Sequence, residues 1–227
     1  MNASFAYHDF KLVIRPSDHQ VRFIADGIDL IDQFWSGMIG LDPDPLLLDP
    51  CTLKADATPH LASVARCSCG EVSCGSLDVE IRKVAKRVVW TERFRQRVFS
   101  FDAVVYDAEV SRVIADTTWE TPDRTAARLL RAAVNREALL LHNLTFRWSS
   151  RRLHPDKFTI SLNLDPGPYQ VLIDVPWDQE TPEEIVLRCI ALLSDAPSSW
   201  PDATWNPQSA GLPRPSIAGP GWRGRAS

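Results

Sequence analysis

Apolar and polar residues alternate along several short stretches of the chain, a pattern that predicts β-strands. Residues 10–14 and 21–25 flank the turn residues Pro16-Ser17-Asp18 and predict a β-hairpin. A second hairpin is predicted where Leu77, Val79 and Ile81 alternate with charged residues and residues 88–90 form the return strand. Further strands are predicted over residues 144–148, 158–164 and 170–175.

Helices are predicted from the residues that begin them. Ser100 or Asp102 can cap a helix over roughly residues 103–115. A second helix is predicted at Thr121-Pro122-Asp123, which combines a capping hydroxyl with proline at the first helical position. Thr181 and Glu184 have the spacing of a capping box and predict the start of the last helix.

These elements predict an α+β fold made of antiparallel hairpins and meanders flanked by helices. Two β-rich units are predicted, residues 1–118 and an α-β-β-β-α unit over 119–195. Residues 196–227 hold six of the 17 prolines and predict a disordered Pro/Gly-rich tail. Within it, Trp200 and Trp205 could fold back onto the body, whereas the chain from about 208 onward is predicted to be flexible.

Composition narrows the class of protein. Of the 227 residues, 44% are hydrophobic and 24% are charged, so the chain has enough apolar side chains for a core and is not wholly disordered. The net charge of -4 argues against non-specific binding to nucleic acid. Neither a signal peptide nor an apolar run long enough to span a membrane is visible, so we expect a cytoplasmic protein without a membrane partner.

Three of the five cysteines, Cys67, Cys69 and Cys74, lie within eight residues. These thiolates could bind Zn²⁺, with Cys51 or His60 as the fourth ligand of a tetrahedral site. Two alternatives stay open. Cys67 and Cys69 could form a redox-active disulfide near Arg66, or the cluster could only pack a tight turn, since cysteine without a disulfide is commonly buried.

Three segments of the chain form a set of motifs. They are Cys67-Ser68-Cys69-Gly70-Glu71-Val72-Ser73-Cys74, then Val89-Trp90-Thr91-Glu92-Arg93-Phe94, and then Phe99-Ser100-Phe101-Asp102 with Tyr106. The set resembles an uncharacterised bacterial protein family. That family pairs a C-x-C-G-E-x-x-C segment with V-x-W-x-x-F and F-x-F-D-x-x-x-Y motifs. The resemblance covers about residues 10–115. It implies a bacterial origin and carries no known activity.

The predicted second hairpin is strongly basic. Seven basic residues lie within sixteen positions around Trp90, and Glu92 is the only acid among them. Such a pattern can bind nucleic acid or an acidic protein, or it can be a solvated surface that discourages edge pairing. The candidate binding residues are Trp90 with Arg82, Lys83, Lys86, Arg87, Arg93, Arg95 and Arg97.

Motifs of nucleotide-binding loops, serine hydrolases and zinc proteases do not occur in the chain. The leading hypothesis is a non-enzymatic bacterial protein-binding protein of the immunity, antitoxin or scaffold type, in which the cysteine cluster is a candidate site for a structural zinc and no cofactor is certain. Eight tryptophans and many arginines favour it, because these residues anchor interfaces. The alternatives are a nucleic-acid-associated protein that uses residues 82–97 and a thiol- or metal-dependent enzyme.

Overall fold

A computed structural model describes residues 3–15, 17–69, 75–92, 94–165, 169–209 and 211–224. The chain forms two compact units, Met1–Trp119 and Glu120–Ser227. Among the described residues, no helix is long and apolar enough to cross a membrane. The strands are mostly antiparallel and the helices flank them, so the predicted α+β class is confirmed.

The first unit consists of two sheets and three helices within the described residues. Its strands are β1 (Ser4–Tyr7), β2 (Phe10–Ile14), β3 (Val21–Ala25), β4 (Ile28–Asp29), β5 (Met38–Gly40), β6 (His60–Cys67), β7 (Ser76–Val84), β8 (Arg87–Glu92) and β9 (Arg97–Asp102). Its helices are α1 (Leu30–Phe34), α2 (Pro43–Leu47) and α3 (Ala103–Ala115).

The larger sheet of this unit has the strand order β1-β9-β8-β7-β6-β5, in which only the β1–β9 pair is parallel. The smaller sheet has the order β2-β3-β4. Alternate residues of the larger sheet point into a shared core, where Trp90, Phe99 and Phe101 pack with Phe10 and Phe23 from the smaller sheet. The predicted hairpins at 10–25 and 77–90 are confirmed.

Residues 40–66 contain a helix and most of a strand despite their prolines. Helix α2 begins at Pro43 with Asp42 as its cap, because proline at the first helical position loses no hydrogen bond. Strand β6 pairs with β7 along most of its length, and its buried residues Ala62, Val64 and Ala65 contribute to the core. The sequence does not predict this strand because its small apolar residues alternate weakly.

The second unit has one sheet with the strand order β10-β11-β12-β13-β14. Its strands are β10 (Leu144–Ser150), β11 (Lys157–Leu164), β12 (Tyr169–Pro176), β13 (Ala203–Pro207) and β14 (Arg223–Gly224). Its helices are α4 (Pro122–Ala133), α5 (Arg136–Leu140) and α6 (Pro182–Ser194). Phe158, Ile160 and Leu162 of β11 are fully buried in the core that these helices share with the sheet.

The two predicted helix starts of this unit differ in how they are capped. The capping box is confirmed at α6, where Thr181 and Glu184 bond to each other's backbone N–H groups. At α4, the Thr121 hydroxyl does not cap the helix and donates instead to Asp123, 2.5 Å away. Helix α4 therefore begins on Pro122 without a side-chain cap.

The C-terminal segment is partly ordered, which differs from the predicted disordered tail. Strand β13 pairs with β12, and residues Pro197–Ser199 form one 3₁₀ turn. The rings of Trp200 and Trp222 stack with centroids 5.8 Å apart, and both are buried. Burial of these large apolar surfaces outweighs the loop-like composition of the segment.

Candidate interaction site

The structure contradicts the prediction that Trp90 is a binding residue. Its side chain is 0% exposed, and its indole Nε1 donates to the hydroxyl of Tyr106, 3.2 Å away. The residue points inward because it shares the strand face of Val88 and Glu92, both of which are buried. Trp90 is therefore part of the core of the first unit.

The predicted basic residues do not form one patch, because β8 separates them into two groups. Arg82, Lys83, Lys86 and Arg87 lie around the β7–β8 turn, and Arg95 and Arg97 lie at the other end of β8. A six-residue strand spans about 20 Å. Arg93 also belongs to the predicted set and lies outside the described residues.

At the β7–β8 end, two of the four basic side chains serve the fold. Lys83 forms an ion pair with Asp107 of α3. The Arg87 guanidinium donates to the Ser100 hydroxyl at 2.8 Å and to the Tyr7 carbonyl at 3.0 Å, which ties β8 to β9 and β1. Arg82 and Lys86 are exposed, so the contact surface at this end is small.

The β8–β9 turn holds the most exposed aromatic side chain among the described residues. Phe94 is 93% exposed, and Arg95 beside it is also exposed. Single exposed apolar side chains are common on protein surfaces, so it is the pairing of Phe94 with an exposed arginine that marks this turn. Phe94 and Arg95 are therefore the centre of the candidate interaction site.

Two residues of the adjoining strands hold this turn in place. The carboxylate of Glu92 is buried, and its Oε1 accepts the backbone N–H of Arg95 at 2.8 Å. Arg97, which pairs with Glu92 across the strands, donates to the Phe34 carbonyl at 2.7 Å and lies over the Phe34 ring. Arg97 is thus a positioning residue for the turn.

The predicted zinc ligands do not converge on one point. His60 begins β6 and Cys67 ends it, so the seven intervening steps separate them by about 23 Å. His60 Nε2 lies 2.9 Å from the carbonyl oxygen of Thr52, the residue after Cys51. His60 and Cys51 therefore belong to the opposite end of the strand and are wrong as ligands for a site at Cys67.

Of the other predicted cysteine ligands, Cys67 ends strand β6 and Cys69 follows it two residues later. The backbone N–H of Cys67 donates to Gly75 at 3.1 Å, and Cys69 is exposed two residues further on. Cys74 lies outside the described residues, and within the described ranges no group of three potential ligands could hold a metal ion. The zinc prediction stays a prediction and is reduced to Cys67, Cys69 and Cys74.

Burial changes the chemistry of Cys51. It packs against the core of the first unit, and burial raises the pKa of its thiol. A neutral thiol is a poor metal ligand and a poor nucleophile. Cys51 is therefore a packing residue at neutral pH.

In comparisons with protein-family models, curated proteins and solved structures, the chain has no match. The resemblance to the bacterial family stays a prediction. One of its motifs is met imperfectly, because Phe94 follows Trp90 by four positions where V-x-W-x-x-F requires three. The extra position falls at the β8–β9 turn, where Phe94 points to solvent.

Proposed function

We propose that this chain is a non-enzymatic protein-binding protein that contacts an acidic partner through the β8–β9 turn. The observation that carries the proposal is Phe94, which is 93% exposed beside Arg95. Moving a phenylalanine side chain from water into an apolar pocket is worth about 1.5–3 kcal/mol. A protein with such a pocket and with carboxylates at its rim fits both residues, and an immunity, antitoxin or scaffold protein is the class we propose.

The way the turn is held supports this proposal. Glu92 fixes the backbone at Arg95, and Arg97 fixes the start of β9 against Phe34. A loop that is already held in one conformation loses less entropy when a partner binds. Phe94 can therefore act as a preorganised anchor for a partner.

A protein partner fits the charge distribution better than a nucleic acid does. The six described basic residues are divided between two ends of β8, and Asp78 and Glu80 lie on the neighbouring strand β7. Binding to DNA or RNA needs several simultaneous phosphate contacts, whereas a protein partner can be held by one aromatic anchor and a basic residue beside it. The nucleic-acid hypothesis remains as the competing outcome of the experiment below.

The experiment compares Phe94→Ser with Leu141→Ser as capture baits in a lysate of the native host. Leu141 is a matched control, because it is 83% exposed and belongs to the other unit. We expect the parent and Leu141→Ser to retain one stoichiometric acidic protein, and Phe94→Ser to lose it. The affinity of the purified pair should fall at least about tenfold for Phe94→Ser.

Three results would count against the proposal. A partner retained equally by both variants would remove Phe94 from the interface. If the parent captures only the background of unrelated proteins, the proposed protein-binding function is refuted. Loss of the captured material after nuclease treatment, with strong salt dependence, would favour the nucleic-acid hypothesis instead.

A further inference from the structure

A cavity of about 420 Å³ lies in the first unit between β2 and the C-terminal half of α3. Leu12 and Ile14 of β2, Val113 of α3 and the ring of Trp119 give it apolar walls. This volume lies in the range of small-molecule sites, which are apolar with a few well-placed polar groups. The cavity is separate from the β8–β9 turn and shares no residue with it.

Two charged residues that line the cavity, Arg112 and Asp116, are one helical turn apart. Their closest atoms, Arg112 Nη1 and Asp116 Oδ2, are 3.8 Å apart, which is too far for a hydrogen bond between them. They form an ion pair without a direct hydrogen bond, and Arg112 Nη1 and Asp116 Oδ2 can each still bond to a ligand.

Other contacts fix these two side chains. Arg112 donates through Nε and Nη2 to the two carboxylate oxygens of Glu109, each at 2.7 Å. Asp116 Oδ1 accepts from the Thr118 hydroxyl at 2.7 Å and from its backbone N–H at 3.0 Å. These bonds from Thr118 lower the pKa of Asp116, so its carboxylate is charged at neutral pH.

His19 adds a third polar group at the rim. It lies in the β2–β3 connection with φ of 54°, a left-handed conformation that is uncommon for residues other than glycine. Its backbone N–H donates to the Arg15 carbonyl at 2.8 Å, which holds the connection closed. His19 is one of the residues that line the cavity, and an imidazole N–H can donate to a ligand carboxylate beside Arg112.

We infer that this cavity binds a zwitterionic α-amino acid with an apolar side chain. The ammonium group would pair with Asp116 Oδ2 and the carboxylate with Arg112 Nη1, since both ligand charges are carried by one carbon. The apolar side chain would pack between β2 and Trp119. A peptide fits less well, because its terminal ammonium and carboxylate are on different residues.

The test uses the whole chain and titration calorimetry with L-phenylalanine and L-leucine. Phenylalaninamide lacks the carboxylate, and N-acetylphenylalanine lacks the ammonium group. We expect both analogues to bind at least about tenfold more weakly than phenylalanine. The inference would be overturned if either analogue bound as tightly as phenylalanine. It would also be overturned if neither amino acid bound at millimolar concentration, and neither result requires a variant.

The variant arm compares Asp116→Asn with Asp107→Asn. The first keeps the oxygen that accepts from Thr118 and removes the negative charge at the cavity. The second removes a carboxylate from the same helix, where it pairs with Lys83 away from the cavity. We expect only Asp116→Asn to lose about tenfold or more in affinity.

An Asp116→Asn variant that binds like the parent would also refute the site. Phe94→Ser should bind the amino acid normally, so this result is independent of the proposed protein-binding function.

Discussion

Trp90 and Tyr106 form a hydrogen-bonded pair in the interior of the first unit, with the indole Nε1 3.2 Å from the phenolic oxygen. Both side chains are fully buried. The Tyr106 hydroxyl in turn donates to the Leu53 carbonyl at 2.7 Å. One hydroxyl therefore joins strand β8, helix α3 and the loop that precedes β6.

Tyr106→Phe should destabilise the protein by about 1–3 kcal/mol, because it leaves the Trp90 N–H and the Leu53 carbonyl buried without this partner. Urea unfolding followed by circular dichroism measures the loss. Trp90→Phe in the same background supplies a double-mutant cycle, in which we expect a coupling energy between the two side chains. A Tyr106→Phe variant as stable as the parent would show that the hydroxyl network contributes nothing to stability.

The same pair shows how much of the fold the sequence could predict. Alternation from Leu77 to Ile81 and the apolar residues 88–90 were enough for the hairpin. The face on which Trp90 lies depends on its partners Phe99 and Ile81, and pairing across strands is not visible in local alternation. Trp90 lies among basic residues in the sequence and is therefore predicted to bind a partner, although the structure places it in the core.

The candidate sites were predicted less well than the fold, for a geometric reason. Spacing along the chain placed His60 close to the cysteines, but an extended strand carries it to the far end of β6. Phe94 lies in a turn, where no periodicity assigns a side chain to core or solvent. The Arg112–Asp116 cavity depends on the packing of α3 against β2, which only the structure provides.

The separation of the predicted ligands leads to a prediction about zinc. We expect one equivalent of zinc in the purified protein, which Cys69→Ser should lose and His60→Ala should keep. Elemental analysis by mass spectrometry measures both. Loss of zinc in His60→Ala would contradict the prediction that the cysteines of residues 67–74 hold the metal. A parent protein that contains no zinc although its thiols are fully reduced would contradict it as well.

Burial predicts a thiol of very low reactivity at Cys189 on helix α6. Desolvation raises the pKa of its thiol to about 12. The raised value stabilises the fold below the ordinary pKa of cysteine, about 8.5, and this contribution is lost as the pH rises toward 12. At pH 8, after any zinc has been removed with a chelator, an aromatic disulfide reagent with peptide mapping should modify exposed Cys69 rapidly and Cys189 only as the chain unfolds.

Cys69 serves as the internal control for Cys189, because both are labelled in one sample. Equal labelling rates in the folded protein would mean that α6 opens readily or does not bury the thiol. Labelling repeated in urea should make the two rates similar. That result would show that the protection of Cys189 comes from the fold.

Glu109 predicts how the stability of the first unit responds to acid. Burial opposes the ionisation of this carboxyl, but hydrogen bonds from Arg112 and from the Leu12 N–H outweigh burial and lower its pKa. A lowered pKa stabilises the fold above the ordinary range of glutamate, near pH 4, and this contribution is lost as the pH falls further. Glu109→Gln should cost about 1–2 kcal/mol at neutral pH and flatten the acid side of the stability curve.

The measurement is urea unfolding of the parent and Glu109→Gln at several pH values between about 3 and 7. The two curves should approach each other at the acid end, where the parent carboxyl is protonated and no longer pairs with Arg112. Asp107→Asn is the control, since it removes a carboxylate that is more exposed on the same helix. A constant difference between Glu109→Gln and the parent across this range would mean that Glu109 stabilises α3 by shape alone and not by its charge.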